Sequence, residues 1–319
     1  MVCNSAVIVR LLLAAILAGG CLGRAYSQEL FPHTEPASNI PSGVLGLRLA
    51  SESYDEVGQA RNWMAFKVLY GITPDLMVTQ TASFSNHHGS TLPDDFVTTD
   101  GGLGGMHTHG TTKGVAYPYL FETYNLNLKY RFYVDDGHNE HLRGAVWGEM
   151  AFGSNAHDEA EPSLMGDNNG FAAGVIFTKL HKRLAVSLGL SGILPLKYHE
   201  EAKDLTFQYG NAFHYSLSFG YLVLPKEYKS YDQVNVNIYA EFLGRAYGGA
   251  TIDMAGENVL TDGVPSLESG HYLELRPAIQ FIFWSNTRLD VSSSFLVAGE
   301  SYTKFYPVFY MSLQHYFYL

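Results

Sequence analysis

The residues best suited to metal chemistry cluster in one stretch. His87-His88 opens it and Met106-His107-Thr108-His109-Gly110 closes it, with Asp94, Asp95 and Asp100 between. An H-x-H pair on extended backbone projects both imidazoles to the same side, because successive side chains alternate. His87, His88, His107 and His109 are therefore candidate ligands for a divalent metal, with Met106 as a soft donor suited to copper. The plainer reading is a histidine-containing surface loop with no cysteine to assist. Nucleophilic hydrolysis would need a serine within reach of a histidine. Ser83 or Ser85 with His87, and Ser154 with His157, are neighbours in sequence. Neither set has a histidine two residues before a serine on a clean strand with a polar residue to orient the imidazole. Gly101-Gly102-Leu103-Gly104-Gly105 lacks the strand-to-helix setting of a phosphate cradle and reads as flexible chain. The chain is accordingly expected not to be an enzyme and to hold no cofactor.

A larger chemical set is spread along the chain. Arg48, Lys67, Lys129, Arg131, Arg143, Arg245 and Arg276, with Glu149, Glu241, Glu274 and Asp290, all occupy the polar face of segments whose other face is apolar. If those polar faces line one lumen, the charges either pair and stiffen its wall or form a pore that selects solutes.

The segments that must position them alternate with period two, the signature of strands with two unlike faces. The clearest runs over about 118–134, with Tyr124, Leu126, Leu128, Tyr130 and Phe132 against Asn125, Asn127, Lys129 and Arg131. Others fall at about 42–53, 61–71, 76–86, 141–155, 170–180, 183–198, 206–224, 234–248, 271–284 and 289–301, with a twelfth at the C-terminus. Connections near 72–75, 135–140, 181–183, 225–233 and 285–288 are short, whereas 87–116, 156–169 and 250–270 are long. Counting from a periplasmic N-terminus, the short set falls at even connections and the long set at odd ones. That is the pattern of an all-β, antiparallel up-and-down transmembrane barrel of about twelve strands with short periplasmic turns and long extracellular loops.

Both chain ends agree. Residues 7–22 hold an apolar run of signal-peptide length, followed by Ala25-Tyr26-Ser27, a small-x-small cleavage pattern. The expected organisation is a signal peptide over 1–27, a polar, proline-containing lead-in over 28–41 and the barrel over 42–319. At the other end, Phe305, Phe309, Met311, Leu313, His315, Phe317 and Leu319 fall on one face, and Tyr310, Ser312, Gln314, Tyr316 and Tyr318 on the other. Such a strand is expected to close the barrel, with Phe317 and Leu319 in the signal read by the barrel-assembly machinery.

Composition narrows the partners. The chain has 22 Tyr, 19 Phe and 32 Gly, as strands with one apolar and one polar face require. Its two cysteines, Cys3 and Cys21, both lie in the leader, so no disulfide is expected in the mature protein. Loss of Arg10 and Arg24 with the leader leaves a formal charge of −13, against nucleic-acid binding.

The segment Trp63–Val78 (WMAFKVLYGITPDLMV) resembles the opening hairpin of the outer-membrane transporters grouped as "MetA-pathway of phenol degradation". The resemblance implies an outer-membrane channel, in some members associated with uptake of aromatic compounds, and supplies no site residues. The expected function is passive passage of small solutes, aromatic or other small organic compounds among them, across the Gram-negative outer membrane. The expected partners are membrane lipid, the barrel-assembly machinery and the solute. The alternatives are a non-conducting barrel that binds a metal or a partner protein through its histidine loop, and a lipid-modifying hydrolase.

Overall fold

In the computed structural model, the described residues are 30–56, 58–86, 118–137, 140–153, 169–201, 204–227, 230, 232–259, 264–301 and 304–319. The two-faced pattern resolves into wall strands. These are β1 (Val44–Glu56), β2 (Gln59–Gly71), β3 (Leu76–Ser85), β4 (Leu120–Gly137), β5 (Glu140–Gly153), β6 (Gly170–His181) and β7 (Leu184–Pro195). After two short strands, β8 (Tyr198–Glu200) and β9 (Leu205–Gln208), the wall resumes with β10 (Ala212–Leu224) and β11 (Asn235–Tyr247). Two more short strands, β12 (Thr251–Met254) and β13 (Glu257–Val259), precede β14 (Gly270–Phe283), β15 (Thr287–Gly299) and β16 (Val308–Tyr318).

Twelve strands, β1 to β7, β10, β11 and β14 to β16, pair antiparallel into one closed barrel. Closure runs from Val44↔Tyr318 to Ser53↔Phe309, so the C-terminal strand meets the first and no barrel edge is left open. The outer face is apolar: Leu49, Phe66, Leu128, Leu188, Leu217, Ile238, Met311 and Leu313 are all exposed on it. Outward aromatics gather near both ends of the wall. Phe84, Phe121, Phe152, Phe171 and Phe213 stand toward the extracellular end, and Tyr70, Tyr130, Phe132, Tyr221 and Trp284 toward the periplasmic end. Two such girdles around an apolar band match the two membrane interfaces. On β3, where the sequence alternates least cleanly, Thr79, Thr81, Ser83 and Ser85 face inward and Phe84 outward.

Three departures from the sequence expectation alter the architecture. The strand read as 206–224 divides, because Leu205–Gln208 leaves the wall as β9 and the barrel strand begins at Ala212. Gly210 lies where a Cβ would meet the Gly248 carbonyl carbon at 2.4 Å, so the chain turns off the wall at a close backbone crossing. The 250–270 segment, read as loop, supplies β12 and β13, which join β9 and β8 in a four-stranded sheet of order β13-β12-β9-β8. Phe305, read as part of the closing strand, lies before it and stacks on the inward Tyr54, with ring centroids 6.3 Å apart.

The small sheet folds toward the barrel. Its Leu205, Phe207, Ile252 and Val259 are buried in one cluster with Ala151, Ala172, Ile193, Ala212 and Tyr247 of the wall. All five wall residues lie on the extracellular parts of their strands, so the sheet covers the inner wall there.

Residues 30–41 form no strand and sit inside the barrel. Phe31 packs edge-on against Tyr239, ring centroids 5.6 Å apart, in a cluster with Ala185. Ala37 joins Ala145 and Ile176, and Ile40 joins Val44, Leu69, Met77 and Tyr316. The segment crosses the periplasmic half of the lumen and leaves it at β1. There Pro41 passes so close to Gly71 that a Cβ would lie 2.1 Å from the Pro41 oxygen.

Candidate functional site

The inner wall carries its polar side chains in two different arrangements. Around β1, β11 and β14 to β16 the charges are deeply buried and mutually bonded. Asp290 accepts from Arg288 (2.9 Å), Ser312 (2.7 Å) and Gln280 (2.8 Å), with Arg48 at 3.5 Å. Arg276 reaches Glu274 at 2.5 Å and Glu52 at 3.3 Å, and the Lys304 ammonium donates to Glu52 at 2.7 Å. Tyr306 donates to the second Glu274 oxygen. Lys304 and Tyr306 come from the last extracellular connection, so this network ties that connection to the wall.

The same groups hold residues 30–41. Glu241 accepts the backbone N–H of His33 and of Thr34 (3.0 Å each), the Thr34 hydroxyl (2.7 Å) and the Ser218 hydroxyl (3.2 Å). Arg48 donates to the Pro32 carbonyl at 2.5 Å, and Gln280 to the Leu30 carbonyl at 3.1 Å. Across the lumen, Lys129 donates to the carbonyls of Pro36 (2.8 Å) and Ser38 (2.9 Å) and lies 3.5 Å from Glu35. Thr178 accepts the Ala37 N–H at 2.9 Å. Arg276 donates to His33 Nδ1 (2.8 Å), which leaves Nε2–H to donate to Ser292 (2.5 Å). Burial, and then the Arg276 guanidinium, hold the His33 imidazole well below its usual pKa, in keeping with this neutral tautomer.

Above this segment lies a cavity of about 370 Å³, a size that accepts a small organic molecule. Pro32, His33, Thr34 and Glu35 form its floor, and Tyr54, Ser85, Glu122 and Lys304 mark its extracellular reach. Its wall combines Trp63, Trp147, Met77 and Ile193 with Thr79, Thr81, Asn125, Asn127, Ser191 and His214.

The eleven lumen charges picked from sequence separate into three groups. Arg48, Lys67, Lys129, Glu149, Arg245 and Arg276 line the cavity. Glu241, Glu274 and Asp290 stand behind it and bind the lead-in or the paired network. Arg131 and Arg143 belong to the periplasmic rim rather than to the pore wall. Arg131 binds Asp75 of the β2–β3 turn at 2.9 Å, beside a register shift between Arg131 and Tyr133. Arg143 binds Asp136 at 2.9 Å and donates to Ser38 at 2.9 Å. Sequence reasoning did not select His33, Thr34, Glu52 or Lys304. The signal for the first two was the apolar pair Phe31 and Ile40 in a stretch read as polar.

The four candidate metal ligands, His87, His88, His107 and His109, lie outside the described residues. Among the described residues, no group of three or more His, Cys, Asp or Glu could hold a metal ion. Ser154, His157 and His87 also lie outside. Ser83 shares a hydrogen bond with Thr123 (2.9 Å) and Ser85 donates to Glu122 (2.6 Å).

No protein-family profile matches the chain, and no curated protein sequence does. Solved structures do. An outer-membrane channel from Pseudomonas putida F1 superposes with a TM-score of 0.53 at 13% identity, over 91% of this chain and all of that one. The NanC porin gives a TM-score of 0.44 at 8% identity over 86% and 99% of the two chains. LpxR from Salmonella typhimurium gives 0.41 at 8% over 85% and 99%. At such identity the first likeness establishes a shared fold. The closed twelve-stranded barrel with its apolar outer wall is an outer-membrane barrel, in contact with the lipid of the Gram-negative outer membrane. The expectation that the chain is not an enzyme is corrected: a barrel fold by itself says nothing for or against catalysis, so it gives no ground for excluding an enzyme.

Proposed function

We propose that this chain passes small solutes across the outer membrane through its lumen, and that residues 30–41 shift to let them through. The cavity of about 370 Å³ carries this reading, because its floor is the N-terminal segment and not the wall. That segment belongs to no strand. Side chains of the barrel hold it, and such bonds are individually modest and exchangeable with water. A solute seated on the floor therefore needs a local rearrangement and no break in the barrel ladder.

Planar-bilayer recording on the refolded full chain, beside a variant lacking residues 30–41, tests this. Discrete conductance is expected, and a larger one in the deletion. Silence from both would end the channel reading in favour of a barrel that only binds.

Phe317 and Leu319 also fit a role in assembly. Phe317 packs edge-on against His315 (4.6 Å between centroids), and Leu319 stands 84% exposed at the periplasmic end. Deleting Tyr316–Leu319 is expected to abolish membrane assembly; a truncated chain that still inserts would contradict it.

A further inference from the structure

We infer that the lumen cavity binds a small carboxylate with an apolar body, its charge held by Lys67; this rests on the solute-passage reading above. Lys67 is inward on β2 and lines the cavity. It lies directly opposite Arg48 in the β1–β2 register. Like charges facing each other across neighbouring strands repel, and a cation withdrawn from bulk water is costly without a counter-charge. Arg48 resolves its own position through Asp290, the Pro32 carbonyl and Tyr310. Lys67 does not: among the described residues its ammonium makes no hydrogen bond and no ion pair.

Other cations of the cavity differ. Lys129 is occupied by Glu35 and two carbonyls, Arg276 by Glu274 and Glu52, and Lys304 by Glu52. The wall carboxylate nearest in setting, Glu149, is engaged by the amides of Asn125 (3.1 Å) and Asn127 (3.2 Å). It stands three strands away on β5, so the two groups do not close on each other. The hydroxyl of Thr81, opposite Lys67 on β3, adds a donor beside the ammonium.

The surroundings describe the rest of the ligand. Trp63 and Trp147 line the cavity with Met77 and Ile193, a surface that favours an apolar body over a bare inorganic ion. Glu35, Glu149 and Glu52 act on Lys67 only from beyond bonding distance, so a carboxylate on such a body supplies the contacting counter-charge and relieves the repulsion from Arg48.

Refolded full-length protein in lipid nanodiscs, titrated with hexanoate, hexanamide and hexylammonium, tests the site. The readout is the fluorescence of Trp63 and Trp147, the third tryptophan, Trp284, being outside the lumen. Hexanoate is expected to give a saturable response, with the amide and the ammonium at least about tenfold weaker, as loss of a charged hydrogen bond implies. Lys67→Met should weaken hexanoate by a similar factor, and Lys67→Arg should retain it. Equal binding of hexanoate and hexanamide by the unaltered protein, or hexanoate binding unchanged in Lys67→Met, would overturn the inference. Bilayer recording separates it from its premise. A conducting barrel without Lys67-dependent binding sinks the site alone, and Lys67-dependent binding in a silent barrel sinks passage alone.

Discussion

The two sides of the lumen wall are built on different principles. On the side of β1, β11 and β14 to β16, charge meets charge. Glu52, Glu274, Arg276, Arg288 and Asp290 are almost wholly buried, and their partners are other wall residues, the last extracellular connection or the N-terminal segment. On the side of β2 to β7 and β10, Thr, Ser, Asn, Gly and Ala separate fewer charges; Lys129 is engaged by the lead-in, and among the described residues Lys67 faces the cavity without a bond. One side, the anchor, carries the paired network, and the other more of the solute-facing surface. A lumen can be rich in charge without being a uniformly charged pore; what matters is which charges remain unspent after the wall has paired.

The contrast breaks most visibly at Asp290. Replacing it by Ala strands Arg288 and Arg48 in a buried site. Loss of one partner from a buried network costs about 3–5 kcal/mol, so urea unfolding of the refolded barrel should shift by that amount. A shift below about 1 kcal/mol would show that the anchor side is no more structural than the other.

Glu241→Ala tests whether the anchor holds the lead-in. It removes an acceptor of four hydrogen bonds, and charged hydrogen bonds contribute about 1.5–3 kcal/mol each. The barrel should stay closed while protease access to residues 30–41 and open-channel probability both rise; no change in either would remove the anchor role.

A pH series probes the same contact more gently. His33 is neutral in place, its pKa held well below the ordinary value of 6.5 by burial and Arg276, with Arg48 and Lys304 acting in the same sense and Glu52 opposing them. A released segment would return the imidazole to that ordinary value. The released state therefore binds the extra proton, and the seated state loses stability as pH falls below 6.5. The limit is about tenfold in population, or 1.4 kcal/mol, per pH unit. Open probability should rise between pH 7.5 and 5.5 and flatten in His33→Gln; the same slope in that variant would assign it to another group.

The smallest effect belongs to the solute-facing side. Ser191→Ala, at a cavity-lining hydroxyl, should change unfolding stability by no more than about 0.5 kcal/mol. A large loss there would erase the distinction between the two sides.

Much of the wall was legible from residue order. In β4, Tyr124, Leu128, Tyr130 and Phe132 point outward and Asn125 and Lys129 inward, as a period-two pattern dictates whatever the partner strand. The closing strand was equally plain, since Phe309, Met311 and Leu313 alternate with Tyr310, Ser312 and Gln314. The site was less so. Lys67 and Lys129 look alike in sequence, each a basic residue on the polar face of a clean strand, yet among the described residues one makes no hydrogen bond or ion pair and the other caps the lead-in. Leu205–Gln208 alternates as well as any wall strand and still belongs to another sheet, because local alternation does not say which neighbour a strand will choose.

What the sequence determined by itself is the two-sidedness of the strands, their number, and the order of short and long connections. Those follow from local geometry: side chains alternate along extended backbone, and an apolar face must meet lipid or a core. Only the tertiary structure decided which charges cancel and which segment fills the lumen. His33 meets Ser292 across 259 positions of chain and Arg48 meets Asp290 across 242. Contacts that distant arise from barrel closure and from the path of residues 30–41, and no local pattern carries them.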